Sequence, residues 1–101
     1  MIDKETQLIL VRKAYLKIID ILYTKQFRAE LTVSYSCNEK WYKSHLHRID
    51  VISVTIEHAI MENNPRRAMR YICLLNYSVN QLIEKVNSDY KPFFNQTETK
   101  M

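Results

Sequence analysis

No glycine occurs anywhere in the 101 residues. Average usage is about 7%, and glycine is the usual choice wherever the backbone must take a positive φ. Its absence argues against a turn-rich β protein. It also removes the Walker A loop, the dinucleotide fingerprint and the nucleophile elbow, all of which are built on glycines. An all-helical chain is the class best able to do without it.

Other shortages narrow the reading further. There are two cysteines, Cys37 and Cys73, with neither a CxxC pair nor zinc spacing. They read as free thiols of a reducing compartment. The longest aliphatic run, LILV at 8–11, is far below the roughly 18 residues that span a bilayer. The opening MIDKETQ is polar and partly acidic, unlike a secretory leader. These features together lead us to expect a soluble, cytoplasmic protein with no membrane partner.

What is present suits one folded domain. Apolar residues make up 47% and charged residues 26% of the chain, both ordinary for a globular protein. The net charge of +4, from 15 basic and 11 acidic residues, bears on solubility and encounter rather than on identity. We expect a single helical domain over 1–94 and a frayed tail over 95–101.

The spacing predicts three helices. The first runs from about Asp3, a plausible N-cap, to about Gln26, with Leu8, Val11, Tyr15, Ile18, Ile19 and Leu22 on one face. Ser36 and Glu39 have capping-box spacing. From there Tyr42, His45, Ile49, Ile52, Ile56, Ala59 and Ile60 hold a second helical stripe. Asn64-Pro65 opens the third helix, whose stripe is Ala68, Tyr71, Ile72, Leu75, Val79, Leu82, Ile83 and Val86. Asp89-Tyr90-Lys91-Pro92 should end it near Asn87 or Ser88, with Phe93-Phe94 folding back. The expected fold is a small antiparallel three-helix bundle with an extended connection over 27–35. An α+β alternative takes ELTVSYSC (30–37) and IDVISVTI (49–56) as a two-stranded hairpin, from their alternation and β-branching.

Chemistry is harder to find. His45 and His47 are two apart, which on a helix puts them about 200° apart, so they cannot chelate one ion. His47 and His58 share a face but lie about 16 Å apart along it. No metal and no cofactor is expected. Cys73, His58 and nearby acids have no nucleophile signature around them, and Glu57 with Glu62 or Glu30 with Glu39 read as surface carboxylates. No catalytic residue is assigned, and the chain is not expected to be an enzyme.

Two surface features remain. Leu10, Ala14 and Ile21 on the first helix, and Val51, Val54, His58 and Met61 on the second, lie outside the core stripes and form the expected protein interface. Lys40, Lys43, Arg48, Arg66, Arg67, Arg70 and Tyr77 could meet an anionic partner or nucleic acid. The expectation is a small regulator, inhibitor or adaptor that binds another protein through apolar helix faces and self-associates as a homodimer. The alternative is a nucleic-acid-binding module built on the Arg66–Arg70 helix start.

Overall fold

The computed structural model describes residues 3–99, with side chains described over 3–90. The side chains of Phe93 and Phe94 and the expected fraying of the tail fall outside that range. Four helices follow in order: α1 (Lys4–Tyr23), α2 (Lys25–Tyr35), α3 (Glu39–Met61) and α4 (Pro65–Thr99). The all-helical class stands. The count of three does not, and no strand occurs among the described residues, so neither 30–37 nor 49–56 forms the alternative hairpin.

The difference lies at Thr24. Asp3 caps α1 as expected: its carboxylate accepts the Thr6 N–H at 2.7 Å, and that bond holds its carboxyl below the ordinary pKa. The helix then stops at Tyr23, because Thr24 takes an extended conformation (φ −65°, ψ 142°). The Thr24 hydroxyl donates to the Ile21 carbonyl at 3.1 Å and accepts the Phe27 N–H at 3.4 Å. One side chain closes α1 and caps α2, without glycine or proline. Residues 27–35 are therefore helix, not an extended connection. Phe27 and Ser34 are buried, with Leu31 and Tyr35 packed partly against the core. That is an i, i+4, i+7, i+8 stripe, and the alternation of Leu31, Val33 and Tyr35 overlaps it by chance.

The capping box is also corrected. The Ser36 hydroxyl donates back to the Val33 carbonyl at 3.0 Å and so finishes α2. Helix α3 begins after Asn38, which makes no side-chain capping bond.

Between α3 and α4 the chain must turn without glycine. Asn63 adopts φ 57°, the left-handed region where Asn is the commonest substitute. Its N–H bonds the Ile60 carbonyl at 3.0 Å, and the Asn64 N–H bonds the Ala59 carbonyl at 2.9 Å. These are the paired bonds of a Schellman motif. Asn64 then accepts the Arg67 N–H at 3.1 Å and caps α4, with Pro65 in the first turn as the sequence predicts.

Helix α4 carries the longest stripe. Ala68, Ile72, Leu75, Val79, Leu82 and Val86 are buried. The helix does not end near Asn87 or Ser88 but continues to Thr99. Asp89 sits in the turn expected to break, and there it accepts the Tyr42 hydroxyl and pairs with Lys85, which holds that turn in helical register. Helix α4 packs against α1, α2 and α3 alike. Helix α3 runs antiparallel to it, Tyr42 meeting Asp89 and His45 meeting Ser78. Helices α1 and α2 follow it in the same direction, Leu10 and Val11 lying beside Met69 and Ser34 bonding the Val86 carbonyl. The molecule is thus three rods, the first of them broken at Thr24. It measures 58 × 24 × 18 Å, with a radius of gyration of 16.6 Å against about 13 Å for a compact chain of this length.

The left-handed Asn63 yields a direct test. Replacing it with Gly relieves the side-chain penalty and should raise stability by about 0.5–1 kcal/mol, whereas Asn63→Ala should lower it by a similar amount. Urea denaturation midpoints at constant m-value would read both.

Candidate functional site

The first turns of α3 hold the densest group of side chains. Trp41 and His45, four apart on the helix, stack with ring centroids 4.6 Å apart and planes 7° from parallel. Tyr42 meets the Trp41 ring edge-on at 5.1 Å and the Tyr35 ring at 6.0 Å. Lys85 reaches across from α4 to place its ammonium 5.8 Å from the Trp41 centroid, a cation–π distance.

Hydrogen bonds tie His45 and Tyr42 to α4. His45 Nε2 lies 2.6 Å from the Ser78 carbonyl oxygen. A carbonyl can only accept, so Nε2 carries the hydrogen and donates. The Tyr42 hydroxyl donates to Asp89 Oδ2 at 2.7 Å, and Lys85 Nζ stands 3.5 Å from Asp89 Oδ1. Burial, then the bond to Asp89 and the charge of that carboxylate, push the Tyr42 phenol well above its ordinary pKa. Burial does the same for Tyr15, with the Glu57 carboxylate adding to it. Among the described residues, no buried side-chain polar atom lacks a partner.

Outside this cluster, Lys40, Ser44 and Arg48 join Trp41 and His45 around a pocket of about 570 Å³. His47 and His58 are exposed on the outer side of α3. Among the described residues, no group of three or more His, Cys, Asp or Glu side chains is placed to hold a metal ion. Both Cys37 and Cys73 are exposed free thiols.

The residues read from the sequence as an interface divide into two surfaces. Val51, Val54, His58 and Met61 share the outer face of α3 and are all exposed, Met61 to 80%. Leu10 and Ile21 are exposed on α1, while Ala14 between them is half-buried against the core. The basic residues divide as well. Lys40, Lys43 and Arg48 lie at the start of α3, and Arg66, Arg67 and Arg70 at the start of α4. Because the two helices are antiparallel, these clusters sit toward opposite ends of the bundle and form no single patch. Arg67 is engaged by Glu62 at 3.7 Å and stands 5.9 Å from the Tyr71 ring centroid. Tyr77 is exposed, its hydroxyl accepting from Gln81 Nε2 at 3.3 Å.

The structure joins two of these sets in a way the sequence did not suggest. Leu10 of α1 and Arg66 and Arg70 of α4 line one open groove of about 600 Å³, with Val11, Pro65 and Met69. Met69 is 45% exposed and went unnoticed because it falls just off the α4 stripe. A second groove was also missed, where Leu16, Leu22 and Tyr23 face Leu31, Leu46 and Val54. It forms beside the break at Thr24, where the end of α1 and the middle of α2 meet α3.

No protein-family model, no curated protein and no solved structure matches this chain. Among the described residues, no helix is long and apolar enough to cross a membrane.

Tyr42 supplies the pH test. Its folded pKa lies above the unfolded value of 10.0, so the unfolded chain releases this proton first. The stability contributed by the neutral phenol is complete below about pH 9 and is lost as pH rises past 10. Tyr42→Phe should cost about 1.5–3 kcal/mol near neutrality, as for a hydrogen bond to a charged group. The gap between wild type and variant should narrow above about pH 10. Denaturant titrations of both proteins across that range would measure it; a constant gap would refute the sign.

Proposed function

We propose that this chain acts by binding protein rather than by catalysis, and that it self-associates through the outer face of α3. The observation that carries the reading is the continuous exposure of Val51, Val54, His58 and Met61 along one side of a helix whose opposite side is the core. Single exposed apolar residues are ordinary. A row at i, i+3, i+7 and i+10 is a seam, and a seam facing water is normally covered by another protein. A two-fold contact would set each α3 against its copy, so that one seam serves both partners.

The chemical texture of the rest agrees with a small regulator, inhibitor or adaptor. Trp41, Tyr42 and His45, the residues that most resemble a reaction site, pack ring to ring, and Tyr42 and His45 are hydrogen-bonded to α4. The separation of the two basic clusters weighs against a nucleic-acid footprint, which needs clustered charge.

The expected result is a dimer at micromolar concentration by sedimentation equilibrium. Val51→Asp with Val54→Asp should convert it to a folded monomer, with the helical circular dichroism unchanged. A wild-type protein that is monomeric at every concentration would remove the self-association. Retention by mixed-sequence DNA or RNA with steep salt dependence would favour the nucleic-acid reading instead.

A further inference from the structure

We infer that the groove between the N-terminal halves of α1 and α4 is a docking site for an acidic amphipathic helix of a partner protein. This rests on the reading that the chain acts by binding protein, and it concerns a surface separate from the α3 seam. The floor of the groove is apolar: Leu10 and Met69 are each about half exposed over buried Val11. Arg66 and Arg70 line it from α4, one turn apart on the same side. Neither arginine forms an ion pair among the described residues, where the pairs are Arg67 with Glu62 and Lys85 with Asp89.

Charge and shape select the occupant. The first turn of α4, like that of α2, carries no acid, and only at α4, among the described residues, do two arginines without an ion pair stand beside it. The positive end of the α4 dipole and two unpaired guanidinium groups therefore add at one place. A carboxylate brought there gains from both, and it can take a guanidinium in two-point fashion. Along α1 the row runs from Leu10 through Ala14 and Lys17, which adds a further positive charge to an otherwise apolar line, to Ile21, about 16 Å or three turns. That is the length over which a helix seats anchors at i, i+3, i+4 and i+7. A partner helix with apolar residues on one stripe and Asp or Glu beside them complements both features. A nucleic acid would meet the arginines but leave Leu10 and Met69 facing a phosphate backbone.

The test is a selection from a display library of peptides about 16 residues long, between four and five helical turns. The bait is the full chain carrying Val51→Asp and Val54→Asp, so that the α3 seam takes no part. Enriched peptides should carry acidic residues flanking an apolar stripe. Their affinity should fall at least about tenfold for Arg66→Glu with Arg70→Glu on that background, and comparably for Met69→Asp. The charge-reversal loss should shrink at high salt, while the Met69 loss persists. Circular dichroism of each variant confirms that it is folded. The inference is overturned if no peptide is enriched, if the enriched peptides lack acidic bias, if both variants bind them as well as the parent does, or if a mixed-sequence DNA duplex binds the groove and displaces them. Because the α3 seam is disabled throughout, failure here leaves the self-association reading standing, and loss of the dimer leaves this one standing.

Discussion

The apolar stripe of α4 is the constraint on which the other three helices depend. From Ala68 to Val86 it presents buried residues at helical spacing, and α1, α2 and α3 each pack on it. Fully burying one large aliphatic side chain contributes roughly 1.5–3 kcal/mol, and α4 supplies five of them, Ile72, Leu75, Val79, Leu82 and Val86. Short side chains at the contacts, with Ala59, Ala68, Ser34 and Ser78 all buried, allow close approach of the helix axes. Ser34 and Ser78 are tolerated inside because the Ser34 hydroxyl bonds the Val86 carbonyl and no buried polar atom among the described residues is left without a partner.

A second constraint is the want of glycine at helix ends. Short polar residues stand at each junction: the side chains of Thr24, Ser36 and Asn64 bond backbone groups three residues away, and Asn63 turns the chain through its left-handed backbone. The side-chain bonds satisfy orphan backbone donors and acceptors at the helix ends. The described residues are almost entirely helix, joined by tight turns, so the side chains they present to solvent stand mainly on helix faces.

Those faces differ in how far they are satisfied from within. At one end Trp41, His45, Tyr42, Lys85 and Asp89 are joined by ring contacts, a hydrogen bond and an ion pair. The outer face of α3 and the groove beside Arg66 and Arg70 are left open. One is a row of Val51, Val54 and Met61 that includes His58. The other combines an apolar floor with two arginines that form no ion pair among the described residues.

Helical class, the stripes of α3 and α4, and the turn at Asn64-Pro65 were all legible in the sequence, because each rests on local periodicity and capping chemistry that any helix must obey. The exposed seam of Val51, Val54, His58 and Met61 was legible for the same reason, being what remains once the inward stripe is drawn. The break at Thr24 was not. A lone threonine within an apolar pattern is seldom a double cap, and it becomes one here because Phe27, Leu31 and Ser34 bury themselves against α4. The persistence of α4 past Ser88 likewise needed Tyr42, far away in the chain, to hold Asp89. That Lys40 and Arg48 stand at the end opposite Arg66 and Arg70 follows from the short antiparallel link between α3 and α4, but tertiary packing alone could bring Leu10 to Arg66 and Arg70. Which residues share a surface depends on helix direction, and direction is decided by which stripes bury one another.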